Sequence, residues 1–124
     1  MKKRHKILLV DDSETALLLE QMILKEGNYE FAIAKDGAEG VAKALSFVPD
    51  LILLDVIMPT MNGIDALREL RRHEKTRTIP VLMVTTNVGE ESMENAYLNG
   101  CNDYITKPID RLELLAKIRT FALE

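Results

Sequence analysis

Five side chains able to do chemistry stand at the ends of apolar runs: Asp11 and Asp12 after ILLV, Asp55 after LILL, Thr85 closing VLMVT, and Lys107 after DYIT. Acids that share a site cannot all stay ionised and unpaired, because like-charge proximity raises their pKa. A divalent cation resolves the conflict. Mg²⁺ takes oxygen ligands in octahedral geometry, keeps several waters and commonly accepts one or two carboxylates plus a phosphate oxygen. Asp11 and Asp12 are therefore expected to form one wall of a magnesium site. Taken alone, Asp12-Ser13 reads more naturally as the cap of the following helix, and Asp55 as a polar turn residue ahead of Pro59. The recurrence of reactive groups at equivalent places, run after run, is what favours a site.

Those places are equivalent only if the runs are strands of one sheet. Residues 7–10, 51–54 and 81–84 are continuously apolar, the pattern of parallel strands covered on both faces. Residues 29–34 and 103–106 are less apolar and suit sheet edges. Amphipathic stretches of helical length lie between them. Residues 14–26 carry Leu17, Leu18, Met22 and Ile23 and stop at Gly27-Asn28; residues 38–47 carry Val41, Ala42, Leu45 and Phe47 and end before Pro49. Residues 63–73 space Ile64, Leu67 and Leu70 by three, and residues 90–99 carry Met93, Ala96 and Tyr97 ahead of Gly100. Asp110 opens the last helix, with Glu113 three positions on as in a capping box, and Leu112, Leu115 and Ile118 are expected along one face. The order is (βα)5, which predicts an α/β fold with a doubly wound, parallel five-stranded sheet. In such sheets ligands bind at the carboxyl ends of the strands, where these five residues gather.

Composition narrows the function classes. The chain has 124 residues, read as a single domain over 1–124 that is long enough to bury a core without disulfides. The formal charge of −4 does not suggest direct nucleic-acid binding, and the basic groups Lys2-Lys3-Arg4 and Arg71-Arg72 read as a solvated terminus and a solvated helix end. The single cysteine, Cys101, and the distant His5 and His73 have no zinc spacing, so Cys101 is expected to be a small buried or half-buried residue. No apolar run reaches membrane-span length and no signal peptide is visible, so no membrane contact and a cytoplasmic location are expected. Met83 reads as core, whereas Met58 and Met61 lie beside the site as candidate contacts for a partner helix.

The motifs LLVDDS (8–13), LILLDVIMPTMNG (51–63), VLMVTT (81–86) and YITKP (104–108) together span the chain, and in this order the sequence resembles the receiver domain of bacterial two-component response regulators, most of all the single-domain chemotaxis-regulator type. The resemblance implies a flavodoxin-like fold with strand order 2-1-3-4-5. It implies that Asp55, followed by Met58-Pro59 and Gly63, is the phosphoacceptor. It implies that Asp11, Asp12, Asp55 and the backbone carbonyl of Ile57 hold Mg²⁺, that Thr85 is a switch hydroxyl and Lys107 a catalytic lysine, that the bond before Pro108 is cis, and that Tyr104 is an aromatic switch. Without the resemblance Tyr104 reads as an edge-strand aromatic. Ile57 is apolar where some relatives are polar, and it and Asn87 bear on phosphoryl lifetime.

The implied order permits a geometric check. Adjacent strands lie ~4.8 Å apart, so a short Thr85 hydroxyl suffices beside Asp55, whereas Lys107 begins ~10 Å away and only a long cationic side chain closes the gap. The implied chemistry is attack by Asp55 on a phosphohistidine of a sensor histidine kinase or histidine phosphotransfer protein. Thr85 then moves and leaves space for Tyr104 to rotate inward, which alters the face made by the fourth helix, fifth strand and fifth helix for an effector protein. The chain would be a phosphoacceptor signalling domain and no enzyme beyond its own phosphotransfer and dephosphorylation. No DNA-binding, cyclase or kinase segment follows residue 124, so output is expected in a partner or elsewhere in a longer regulator. Three rival readings fit less well. A haloacid-dehalogenase-like phosphatase wants a second Asp where Ile57 stands, a flavodoxin-like flavin carrier wants a hydroxyl-rich loop in place of Asp11-Asp12, and a degenerate receiver would lack part of the reactive set.

Overall fold

In the computed structural model, which describes residues 5–58, 61–86 and 90–122, the five apolar runs are strands of one sheet. These are β1 (His5–Val10), β2 (Tyr29–Ala34), β3 (Leu51–Asp55), β4 (Val81–Thr85) and β5 (Asp103–Thr106), ordered β2-β1-β3-β4-β5 with every pair parallel. Between and after them run α1 (Glu14–Leu24), α2 (Gly37–Phe47), α3 (Gly63–Arg72), α4 (Glu90–Leu98) and α5 (Arg111–Ala122). Lys2-Lys3-Arg4, Pro59 and Asn87 lie outside the described residues.

The continuous apolar runs exist because the sheet feeds two cores at once. Successive strand residues point to opposite faces. Leu8, Val10, Ile52, Leu54 and Met83 pack with Ala44, Leu67, Leu70 and Ala96 on the side of α2, α3 and α4. Ile7, Leu9, Leu51, Leu53 and Leu82 pack with Leu17, Ile23, Leu114 and Ile118 on the side of α1 and α5. Register carries this across the sheet in rows, Leu9–Leu53–Leu82 on one face and Val10–Leu54–Met83–Tyr104 on the other. A one-residue slip would exchange the two cores.

The helix faces correct several sequence expectations. In α1, Leu18 and Met22 are exposed, and the inward stripe is Leu17, Glu20, Ile23 and Leu24. In α5, Leu112 is exposed and Leu114 takes the buried place. Tyr97 is also exposed, at 45%. Met58 is buried and Met61 packs partly buried against the same core, so both side chains serve the core where a partner contact was expected. Arg71 is not solvated: half-buried, it donates to the carbonyls of Gly100, Thr76 and Ile79 and to Asn102 Oδ1. Asp110 caps α5 by accepting from the Glu113 amide at 2.9 Å, while the Glu113 carboxylate turns to Lys117 at 3.4 Å.

Candidate functional site

The carboxyl ends of β1, β3 and β4 form one edge, and the segment after β5 folds over it. Asp11 directly follows β1, anchored by its amide donating to the Ala34 carbonyl at 3.0 Å. Ser13, not Asp12, caps α1, its hydroxyl accepting from the Ala16 amide at 3.2 Å. The capping role that Asp12-Ser13 suggested thus falls to the serine, which leaves Asp12 exposed at the mouth of the site. Asp55 is the last residue of β3, in register with Val84, and Thr85 lies one position further along β4. Gly63, the first residue of α3, donates to the Val56 carbonyl at 2.7 Å. A Cβ there would strike the Asp55 carbonyl oxygen and the Val56 backbone, so only glycine lets α3 start this close beneath Asp55.

One oxygen from each of Asp11, Asp12 and Asp55 lies within 4.8 Å of the others. Asp11 (1% exposed) and Asp55 (5%) are buried. Asp11 Oδ1 accepts from the Ser13 amide at 2.9 Å, and Asp11 Oδ2 from Lys107 Nζ at 2.9 Å. Lys107 Nζ is also 3.6 Å from Asp55 Oδ1. The ammonium reaches past β4 and β3 to the end of β1, its backbone amide held by the Thr85 carbonyl at 2.9 Å. The Lys107-Pro108 bond is cis. Thr85 is 1% exposed. Ile57, by contrast, is 62% exposed, just beyond β3.

Electrostatics follow from three acids around one amine. Burial, then the Asp11 charge, pushes the Asp55 carboxyl up to about 6, against the opposing pull of Lys107. Burial works against the Lys107 charge, but its hydrogen bond to Asp11 and the neighbouring carboxyls hold the ammonium above its ordinary pKa. Hard oxygen donors this close, two of them buried and only partly neutralised by Lys107, suit a divalent cation.

Two features were not foreseen. Glu20 of α1 is 1% exposed, and burial followed by the Asp11 charge raises its carboxyl to about 8. The available signal was its place three after Leu17 and three before Ile23, on an apolar stripe. Tyr104 already sits inside the protein at 5% exposure, in the row with Met83 and Leu54, so no inward rotation from solvent is needed. Cys101 is buried as expected, and burial pushes its thiol up to about 11, which leaves it no thiolate chemistry at neutral pH.

Parallel order 2-1-3-4-5 with an acid cluster and an amine at the carboxyl edge defines a doubly wound α/β protein with a cluster of carboxylates suited to a divalent metal. Residues 7–119 match the response regulator receiver domain, and the chain belongs to that family. It is 38% identical over 113 residues to protein PilH of Pseudomonas aeruginosa, covering 91% of this chain and 93% of PilH. It spans half or less of other curated relatives that it matches, 47% and 25% in two cases. The fold is similar to chemotaxis protein CheY4 of Vibrio cholerae, with TM-score 0.91 and 30% identity over 96% of this chain and 99% of that one. It is equally similar to the receiver domain of sensor histidine kinase PA1611 from Pseudomonas aeruginosa, whose structure has a magnesium ion in the active-site cleft: TM-score 0.91, 30% identity, 98% of this chain and 100% of that one. Among the described residues no helix is long and apolar enough to cross a membrane.

Proposed function

We propose that this receiver domain accepts a phosphoryl group on Asp55 from the phosphohistidine of a sensor histidine kinase or histidine phosphotransfer protein, and that the phosphorylated form offers the α4-β5-α5 face to an effector protein. The observation that carries the reading is one amine shared by two acids, with Lys107 Nζ 2.9 Å from Asp11 Oδ2 and 3.6 Å from Asp55 Oδ1. The proposed cation is Mg²⁺, held by Asp11, Asp12, Asp55 and the backbone carbonyl of Ile57; when bound it supplies positive charge against the phosphoryl oxygens.

Asp55 attacks phosphorus in line as the P–N bond to the donor imidazole breaks, so the group passes from nitrogen to a carboxylate oxygen. With its pKa at about 6 Asp55 is largely ionised at neutral pH and needs no general base. The Lys107 ammonium and Thr85 hydroxyl neutralise charge spread over the equatorial oxygens. Water later attacks the same phosphorus and restores the carboxylate. Drawing Thr85 toward the phosphoryl group moves the end of β4, and Tyr104, in the next strand and already inside, transmits the shift. The domain, residues 1–124, is on this reading a cytoplasmic phosphoacceptor whose catalysis is confined to its own phosphorylation and dephosphorylation, without direct nucleic-acid or membrane contact.

Amide chemical shifts test this. With Mg²⁺ present, acetyl phosphate or beryllofluoride is expected to shift amides around Asp55, Thr85 and Tyr104 in the wild type and to leave Asp55→Ala unchanged. No shifts in the wild type, or the same shifts in the variant, would overturn the assignment.

A further inference from the structure

One buried acid takes no part in this chemistry. Glu20 is 1% exposed among the inward residues of α1, and its Oε1 has no hydrogen-bond partner among the described residues. A buried oxygen left unpartnered is destabilising, and an apolar side chain would suit Leu17 and Ile23 better. Its position gives it a use. α1 faces the segment after β5 across a cleft of about 200 Å³, with Ala16 and Leu19 on one wall and Lys107 and Pro108 on the other. Glu20 follows Ala16 by one turn and points inward. It lies near enough to Asp11, Lys107 and Asp55 for each charge to act on it.

Lys107 donates to Asp11 Oδ2, and Asp11 is one of the three carboxylates of the acid cluster that would hold a divalent cation. Ammonium and dication repel, so a cation in the acid cluster would weaken the hold of Asp11 on Lys107. We propose that Glu20 is a positioning residue acting through Lys107: its open Oε1 is a second seat for the ammonium, taken when Asp11 turns to the divalent cation. One hydrogen bond, Nζ–H to Asp11 Oδ2, breaks and another, Nζ–H to Glu20 Oε1, forms, so the charge stays satisfied inside the protein. A carboxyl oxygen accepts from an ammonium whether or not its partner oxygen carries a proton, so the exchange does not depend on Glu20 ionising. The inference rests on the divalent-cation reading of the acid cluster.

Calorimetric titration with Mg²⁺ of wild type, Glu20→Met, Lys107→Met and the double variant tests it. Glu20→Met is expected to weaken binding about tenfold, the loss of one hydrogen bond to a charged group. Glu20→Gln, which keeps an acceptor oxygen, is expected to bind as the wild type does. Once Lys107 is Met, Glu20→Met is expected to have no further effect, because the two act as one pair. Thermal unfolding without Mg²⁺ checks that each variant folds, and Glu20→Leu repeats the cycle in a second apolar background. Equal weakening with and without Lys107, or none in either, overturns the inference while a binding wild type leaves the acid-cluster reading standing. A wild type that binds no Mg²⁺ overturns both.

Discussion

Two polar clusters at opposite ends of the sheet are built on opposite principles. Near the amino ends of β4 and β5, Arg71 spends its five N–H donors on five bonds: Nε and Nη2 to Gly100 O (3.1 and 2.8 Å), Nη1 to Ile79 O and Thr76 O (2.9 and 3.2 Å), and Nη2 to Asn102 Oδ1 (3.1 Å). Asn102 in turn accepts from the Val81 amide at 2.9 Å. At the carboxyl ends, Asp11 and Asp55 share the ammonium of Lys107, Glu20 lies within reach of their charges, and its Oε1 has no partner among the described residues. The first cluster is complete, and so it ties α3 to the start of β5. The second has acids in excess, and so it is ready for positive charge or for a phosphoryl group that brings its own cation.

Breaking the complete cluster is expected to have the largest effect on stability. Arg71→Met removes five hydrogen bonds at once and takes their partner from the Gly100 and Ile79 carbonyls, while Asn102 Oδ1 keeps the Val81 amide and the Thr76 carbonyl keeps the Ile79 amide. It is expected to lower unfolding free energy by about 4 kcal/mol, read by urea denaturation, with Mg²⁺ affinity unchanged.

Relieving the incomplete cluster is expected to do the reverse. Glu20 and Asp55 titrate higher in the folded protein, at about 8 and about 6 against ordinary values of 4.5 and 3.8. The folded state then binds more protons than the unfolded one, so stability falls as pH rises through those windows and levels off above them. Glu20→Met is expected to stabilise the metal-free protein at pH 8 by on the order of 3 kcal/mol and to flatten its stability profile between pH 4.5 and 8. Asp55→Asn is expected to gain about 2 kcal/mol at neutral pH, flattening the profile between 3.8 and 6, while abolishing phosphorylation. Denaturation across pH checks both, and a profile for either variant parallel to the wild type's would show that the cluster is not in excess of acid.

The smallest effect lies outside both clusters. Val48 caps α2 in the left-handed region (φ 46°, ψ 68°). Val48→Gly is expected to stabilise by about 0.5–1 kcal/mol at any pH, measured by the same denaturation, because it relieves strain unconnected with charge.

The sheet and the reactive edge were legible in the sequence because each was written twice. ILLV, LILL and VLMV are apolar at every position, and the side chains that follow them are chemically reactive types at matching places. The face of α1 was not legible. Leu17, Leu18 and Leu19, followed by Met22, Ile23 and Leu24, offer apolar residues all round the helix, and periodicity cannot choose between them. Packing against β1 and α5 decides, and it turns Glu20 inward. Arg71 failed for a related reason: its partners Gly100 and Asn102 lie some 30 residues away, and tertiary contacts of that kind leave no local mark. In α5, Ile118 is buried and Leu115 packs beside it as expected, but the stripe continues by a step of four to Leu114, which leaves Leu112 exposed.

The central claim is that the amine and the acids converge to make one carboxylate, Asp55, the acceptor. The direct test is to treat the Mg²⁺-loaded protein with acetyl phosphate, reduce the acyl phosphate with borohydride and map the modified residue by peptide mass spectrometry. The account predicts modification at Asp55, dependent on the divalent cation and lost in Asp55→Asn. Modification centred on another acid, or undiminished in that variant, would contradict it.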